Sequence, residues 1–314
     1  MTQLAFERSG TGAPMVLLHG LGMSRRVWDP VVPALSDRFE VIAIDLPGHG
    51  RSEPFPDDVE PLPATMAASV AKLLDELGIV DPHVVGNSLG GWVALEFAHI
   101  RAVTSLTLLS PAGLWLDSAP LYTRLSLQAS SWLTRHVGGA LARLVNYRLG
   151  RLLILGQTHG RPTRLTADQA RTTIETLARS SGFGATLAAT ANRRYLGGPR
   201  IDAPVTVAFG SRDLVLLAHQ SRHLDQLPAQ TRLEGLPGCG HVPMFDDPTA
   251  VADLISATAA RSTPNSDVGP DIQLGAWPLP TLPHITRRFL RLAVAWIRPQ
   301  VALCRDTGCF LRCL

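Results

Sequence analysis

A serine lies between two glycines in the segment Gly86-Asn87-Ser88-Leu89-Gly90. The segment follows a short apolar run that starts at His83, and it precedes a run from Trp92 to Ala98 that is typical of a helix. Glycines on both sides allow a sharp strand-to-helix turn, which would hold the serine hydroxyl exposed at the start of the helix. This context predicts that Ser88 is a nucleophile.

Four further segments have the composition and the order that accompany such a turn in one large enzyme family. They are the early loop His19-Gly20-Leu21-Gly22, the turn Asp45-Leu46-Pro47-Gly48-His49-Gly50-Arg51-Ser52, the acid loop Gly210-Ser211-Arg212-Asp213 and the histidine loop Gly240-His241-Val242-Pro243. With these motifs, residues 1–261 resemble the α/β-hydrolase family. The resemblance implies a serine hydrolase, and we expect it to need no cofactor and no metal.

The resemblance also assigns a role to each catalytic residue, in the chain order Ser88, Asp213, His241. A serine hydroxyl is a weak nucleophile at neutral pH, so His241 must accept its proton and later return it to the leaving group. Asp213 would hold the imidazole in the correct tautomer. The backbone N–H groups of Leu21 and Leu89 would bind the oxyanion of the tetrahedral intermediate.

Asp213 is the least regular member of this set. The family turn usually continues D-x-x-x-P, whereas here the sequence after the aspartate is Leu214-Val215-Leu216-Leu217. The other acids are less well placed, because Asp202 precedes a strand while Asp225 and Asp246 lie in helical or post-histidine segments. We therefore expect Asp213 to be the acid.

Short apolar runs alternate with helical segments along the parts of the chain that carry these motifs. Parallel strands that are buried on both faces have such apolar sequences, and a crossover helix joins each strand to the next. The sequence therefore predicts an α/β fold with a mostly parallel central sheet and helices on both faces. The predicted strands are Met15–His19, Val41–Asp45, His83–Gly86, Ser105–Ser110, Val205–Phe209 and Arg232–Leu236, and predicted helices lie between Thr65 and Gly78 and from Pro248 onward.

Strand signals disappear between residues 113 and 200, where Leu, Ala, Arg and Ser predominate. We interpret this segment as a helical cap, inserted into a core that residues 1–112 and 201–261 form. A cap at this point of the fold covers the active site and selects the substrate. Trp115, Trp132 and Tyr195 are the candidate walls of the substrate pocket.

Residues 262–314 have a different composition, with five prolines between positions 264 and 283 that predict an extended linker. The helical spacing of Ile285, Phe289, Leu292 and Trp296 then predicts a basic amphipathic helix over residues 285–297. This tail could contact an anionic membrane surface, pack on another subunit or have no role. We expect it to be dispensable for catalysis.

The overall composition excludes several classes of protein. Hydrophobic residues make up 46% of the chain and charged residues 18%, which provides ample material for a buried core. The net charge of +3 is carried by the tail, with six Arg against three Asp, so the rest of the chain has no basic field for nucleic acid. With no membrane-spanning run and one cysteine before the tail, we expect a cytoplasmic protein.

Three functions remain open within this fold. A carboxylic ester hydrolase acting on small or medium acyl groups requires only the triad, two N–H donors and an apolar pocket. Hydrolysis of a carbon–carbon bond in vinylogous diketones is an alternative, since Gly86 to Gly91 and either Arg193 or Arg194 resemble features of such enzymes, although Val242 stands where they carry tryptophan. The third is a ligand-binding protein without turnover, which has no need of an intact triad.

Overall fold

The computed structural model describes residues 2–198, 200–217 and 220–262. The described part contains one mixed sheet, in which the strand order is β1-β3-β2-β4-β5-β6-β7. β1 pairs antiparallel with β3, and all the other pairings are parallel. The strands are β1 Phe6–Ser9, β2 Ala13–Leu18, β3 Phe39–Ile44, β4 His83–Asn87, β5 Ser105–Leu109, β6 Val205–Gly210 and β7 Arg232–Leu236.

Helices connect the parallel strands. The α-helices of the described residues are α1 Val32–Ser36, α2 Pro63–Glu76, α3 Leu89–Ile100, α4 Leu121–Leu144, α5 Arg148–Leu155, α6 Ala167–Arg179, α7 Phe183–Ala191, α8 Pro243–Asp246 and α9 Pro248–Ala260, and short 3₁₀ turns cover Arg25–Trp28 and Pro162–Arg164. None of the helices in these ranges is long and apolar enough to cross a membrane.

The sheet is buried on both faces because its strands alternate between two hydrophobic cores. In β2, Val16 and Leu18 pack in the core that α2 and α3 cover, whereas Met15 and Leu17 pack in the core that includes residues of α1 and α9. The predicted α/β fold with a mostly parallel sheet and helices on both faces is confirmed. All six predicted strands are present, and β1 is one that the apolar runs do not predict.

One helix boundary differs from the prediction. α2 begins at Pro63 rather than after a cap at Thr65, and Leu62 is its N-cap residue. Proline is favoured at the first helical position because its φ angle suits the helix and its missing N–H would have had no partner there. The predicted helix over 285–297 and the linker before it lie outside the described residues.

The segment between β5 and β6 contains α4, α5, α6 and α7 and, in its described part, no strand. Leu141, Leu155 and Ile174 belong to a third, smaller cluster of buried side chains. α4 packs against α5, α6 and α7. These four helices contribute part of the walls of a cavity that Ser88 also lines.

Candidate active site

Ser88 occupies the turn that joins β4 to α3, with φ 54° and ψ −117°. A positive φ is strained for a residue other than glycine, and such strain persists only where neighbouring contacts impose it. Here the carbonyl oxygen of Ser88 accepts the N–H groups of Gly91, Trp92 and Ala112 at 3.0, 3.2 and 2.9 Å. These bonds fix the backbone of the turn, and Ser88 lines a cavity.

The early loop lies directly against this serine. A Cβ atom placed on Gly20 would come within 3.2 Å of the Ser88 Cβ atom, so a side chain at this position would crowd Ser88. Leu21 lies inside a turn that the bond from the Met23 N–H to the Gly20 carbonyl closes at 3.2 Å. Leu89 is the first residue of α3, where an N–H group has no acceptor within the helix.

His241 and Asp213 form a buried pair. Asp213 follows β6, and His241 follows β7, the strand that pairs with β6. The Nδ1 atom of His241 lies 2.9 Å from Oδ2 of Asp213. The other carboxylate oxygen, Oδ1, accepts the backbone N–H groups of Val215 and Leu216, each at 2.9 Å. The acid loop therefore positions its aspartate through main-chain bonds, although the proline typical of the family turn is missing.

The surroundings of Asp213 favour its charged form. Burial alone would raise the pKa of this carboxyl, but the adjacent His241 and the N–H groups of Leu216 and Val215 outweigh burial and hold the pKa below its usual value. The ionised carboxylate accepts a hydrogen bond from the His241 Nδ1–H group. This bond selects the tautomer in which Nε2 is free to accept a proton.

Ser88, His241, Leu21 and Leu89 line one cavity of about 320 Å³. Its other walls come from the core and from α4, α5, α6 and α7, and most of the lining is apolar, with Leu127, Phe183, Leu187 and Val215 among the side chains that contribute. In the described ranges, no group of three or more His, Cys, Asp or Glu side chains is arranged to hold a metal ion.

The three aromatic residues predicted to be pocket walls lie in different places. Trp115 lines the cavity, and its indole N–H donates to the Arg193 carbonyl at 2.7 Å. Trp132 does not line it, because this side chain is on the outer side of α4 and is 53% exposed. Tyr195 does not line it either, because its ring is buried in the core, where its hydroxyl lies 2.6 Å from Nε2 of His99. The predictions for Trp132 and Tyr195 are wrong.

Two polar residues that the motif analysis did not assign hold the site together. The side-chain amide of Asn87 donates to the carbonyl of His241 at 2.9 Å and to that of Leu109 at 3.0 Å. This amide therefore links the residue before the nucleophile to the histidine loop. Asp246 is fully buried, and its carboxylate accepts the N–H group of Gly240 at 2.7 Å. Asn87 lies within the Gly86 to Gly90 segment, 154 residues from His241, whereas Asp246 lies only six residues after Gly240.

A second histidine, His159, also lines the cavity and is buried. Its Nδ1 atom lies 2.8 Å from the hydroxyl of Thr158, and its Nε2 atom has no hydrogen-bond partner among the described residues. Burial lowers the pKa of His159 to about 4, so the ring is neutral at physiological pH. No sequence motif marks His159, because only the packing of the helices brings it next to the site.

The arginines considered for a carbon–carbon bond hydrolase do not reach the cavity. The guanidinium group of Arg193 pairs with Glu60, and that of Arg194 donates to the carbonyl of Leu116. Neither residue lines the cavity in which Ser88 lies. Nothing in this arrangement brings either guanidinium group to a bound substrate.

Comparison with known proteins gives consistent matches. A family model described as alpha/beta hydrolase fold matches residues 13–248. The uncharacterized protein Rv2715 of Mycobacterium tuberculosis is 31% identical over 267 residues, which are 80% of this chain and 76% of the relative. Epoxide hydrolase EphH of the same organism is 32% identical over 231 residues, which are 64% of this chain and 97% of that protein.

Among solved structures, a thermophilic esterase from Thermogutta terrifontis is similar with a TM-score of 0.66 at 23% sequence identity. The match covers 83% of this chain and 94% of the esterase. At this level of identity the likeness concerns the fold.

Proposed function

The chain belongs to the α/β-hydrolase family, and from this premise we propose that it is a carboxylic ester hydrolase that forms an acyl-enzyme on Ser88. One observation carries the proposal. A serine in a strained turn and a histidine paired with a buried carboxylate line the same cavity. A fold that only bound a ligand would need neither the strained turn nor the ionised pair.

The proposed reaction starts when the Ser88 hydroxyl attacks the ester carbonyl carbon and His241 Nε2 takes the hydroxyl proton. The carbonyl oxygen becomes an oxyanion, which the N–H groups of Leu89 and Leu21 stabilise, each donor being typically worth about 3 kcal/mol. His241 then returns the proton to the departing alkoxide, and an alcohol leaves. Water repeats the sequence on the acyl-enzyme and releases the acid.

Asp213 would act throughout by stabilising the imidazolium that forms when His241 takes up the proton. Its ionised state agrees with this role, since the pKa of the carboxyl is held below its usual value. The apolar walls of the cavity favour the acyl part of an ester.

The nature of the nucleophile also distinguishes between the activities named among the relatives. A serine that opened an epoxide would form an ether, which water does not readily cleave, whereas a serine that attacks an ester forms an acyl ester that water hydrolyses. Ser88 therefore favours an ester over an epoxide. The carbon–carbon bond reaction is less well supported, because neither Arg193 nor Arg194 lines the cavity.

Active-site labelling tests the proposal. A fluorophosphonate probe should add once to the protein, on Ser88, as measured by intact-mass spectrometry and peptide mapping. Ser88→Ala should lose both the adduct and the turnover of p-nitrophenyl esters, whereas Ser69→Ala, a change in α2 remote from the cavity, should retain both. An adduct on another residue, or a wild-type protein that neither reacts with the probe nor turns over any ester, would refute the proposal.

A further inference from the structure

An unusual concentration of exposed apolar side chains lies on α4, α5 and the residues next to them. Of the seventeen large hydrophobic side chains that are exposed in the described residues, twelve lie between positions 116 and 153. A soluble monomer rarely exposes a large contiguous apolar patch unless the patch binds something. This region therefore requires an explanation that the proposed hydrolysis does not provide.

These side chains form ordered faces. On α5, Leu149, Leu152 and Leu153 are spaced i, i+3 and i+4, which places them on one side of the helix, and they are 65%, 50% and 54% exposed. On α4, Leu133 and Leu144 are exposed, one on each side of a kink at Val137, where φ is −126° and ψ is 18°. Because α4 packs against α5, we name these five residues together the outer apolar face.

The charge of this part of the chain is one-sided. Between Asp117 and Asp168 the sequence contains no Asp or Glu, but it contains seven Arg. Arg143 and Arg148 are exposed and flank the outer apolar face. α6 also packs against α4, and its acids Asp168 and Glu175 form ion pairs within that helix.

Aromatic residues with polar atoms lie beside the same face. Trp132 is 53% exposed on α4, and Tyr147, between the two helices, is 71% exposed. Tryptophan and tyrosine are favoured where a protein meets the boundary between water and lipid, because an apolar ring there carries a polar group that stays hydrated. Leucine, arginine and these aromatics together are the composition of an interfacial helix face.

We propose that the outer apolar face docks this protein on the surface of an anionic lipid bilayer. Apolar side chains would enter the boundary between headgroups and acyl chains, and the arginines would meet lipid phosphates. A second copy of the chain fits less well, because a twofold interface brings the same patch of each copy together. Such a contact would bring Arg143 and Arg148 of both copies into one interface, and the sequence between Asp117 and Asp168 contains no acid to pair with them.

The position of the face relative to the cavity gives docking a consequence. Leu133 belongs to the outer apolar face and also lines the cavity of Ser88. Ile154, which lines the cavity, directly follows Leu153 of the face. An apolar ester dissolved in the bilayer would therefore meet the enzyme next to the wall of its active-site cavity.

Vesicle binding by the full chain tests the proposal, and it does not depend on turnover. We expect the protein to sediment with vesicles of phosphatidylcholine that contain about one third phosphatidylglycerol, and to be released as salt is raised. Arg143→Gln with Arg148→Gln should weaken binding to these vesicles by about tenfold or more. Leu149→Ser, Leu152→Ser and Leu153→Ser together should weaken it by a similar factor or more.

A matched control carries three substitutions of exposed apolar residues elsewhere, namely Val80→Ser, Ile100→Ser and Leu233→Ser. This control should bind vesicles as the wild type does, and the thermal transition of every variant should show that it is folded. The proposal is overturned if the wild type ignores anionic vesicles, or if the leucine variant binds them unchanged. It is also overturned if light scattering shows a dimer that the leucine variant converts to a monomer.

Discussion

Replacing Asp246 by asparagine is expected to lower both the stability and the turnover of the enzyme. The carboxylate of Asp246 connects two segments that are far apart in the chain. Its Oδ2 atom accepts the N–H groups of Gly160 and Gly240 at 2.8 and 2.7 Å, and its Oδ1 atom accepts that of Arg161 at 2.7 Å. Gly240 directly precedes His241, so the bonds also position His241, the proposed general base.

The size of the effect follows from the number of acceptors. An asparagine has one oxygen, and the least harmful rotamer keeps that oxygen on Gly160 and Gly240 and turns the NH₂ group toward the N–H of Arg161. One bond to a charged acceptor is lost, a donor is left unpaired, and the two remaining bonds lose their charge assistance. Such losses cost about 2–4 kcal/mol in the free energy of unfolding, which corresponds to a fall in Tm of roughly 5–15 °C in a domain of this size.

The effect on catalysis should exceed the effect of instability alone. The segments meet closely, since a Cβ atom on Gly240 would come within 2.5 Å of the Gly160 nitrogen. The NH₂ group of the new asparagine and the N–H group of Arg161 would repel each other at this junction, and the repulsion would push the histidine loop away from Ser88. A displacement of about 1 Å can cost on the order of 100-fold in rate, so we expect kcat for a p-nitrophenyl ester to fall by about 10- to 100-fold, with a smaller change in KM.

Asp247→Asn is the matched control, one residue further along. Asp247 caps α9 by accepting the Ala250 N–H at 3.2 Å, and it pairs with Arg161 at 2.9 Å. Asparagine caps a helix about as well as aspartate, so this variant should lose only about 1 kcal/mol or less. Unchanged Tm and kcat in Asp246→Asn would refute the reasoning. A fall in Tm with an unchanged kcat below the transition would show that the carboxylate stabilises the fold without positioning His241.

Three further predictions follow from the site and its surroundings. Asp213→Asn should lower kcat for an ester by about 10³-fold or more while Asp202→Asn does not, and a nearly active Asp213→Asn would move the role to another acid. Burial lowers the pKa of His49 to about 3, so the free energy of unfolding should fall as the pH drops from about 6.5 toward 4. His49→Gln should reduce the slope of unfolding free energy against pH by up to about 1.4 kcal/mol per pH unit. Equal slopes for the wild type and the variant, from thermal melts at a series of pH values, would contradict this. Truncation after Arg261 should preserve turnover, and an inactive product would show that residues 262–314 are required for activity.

The strands and the nucleophile turn could be predicted because their signals are local. Apolar runs mark buried strands wherever they occur. The glycines around Ser88 leave room for the tight turn, since a Cβ atom on Gly86 would come within 2.3 Å of the Gly90 carbonyl oxygen. The acid was harder to predict. The family proline is missing after Asp213, and the N–H groups of Val215 and Leu216 hold the carboxylate in its place. Because these donors are backbone N–H groups, the identities of the side chains do not show which residues will bind the carboxylate.

The network around the histidine was not predictable for a related reason. Asn87 bonds to the His241 carbonyl across 154 residues, and Asp246 joins Gly240 to Gly160, which lies 86 residues before it. Only the folded chain brings these groups together. A sequence shows that a polar residue is adjacent to a motif, but it does not show whether that residue is buried. Burial is what makes these two bonds necessary, because an unpaired amide or carboxylate in the core costs several kcal/mol.

The aromatic residues of the helical segment show where periodicity fails. Trp132 and Tyr195 have similar chemistry, yet one is on the surface and the other in the core. α4 carries apolar residues on two sides: Leu127 lines the cavity, while Leu125 and Leu144 are exposed and do not line it. When a helix has one apolar stripe, its sequence shows which face is buried. When it has two, the sequence does not show which of them is buried. The second stripe becomes informative only with the charge pattern, because a stripe flanked by arginines and no carboxylates matches an anionic lipid surface better than it matches another part of this protein.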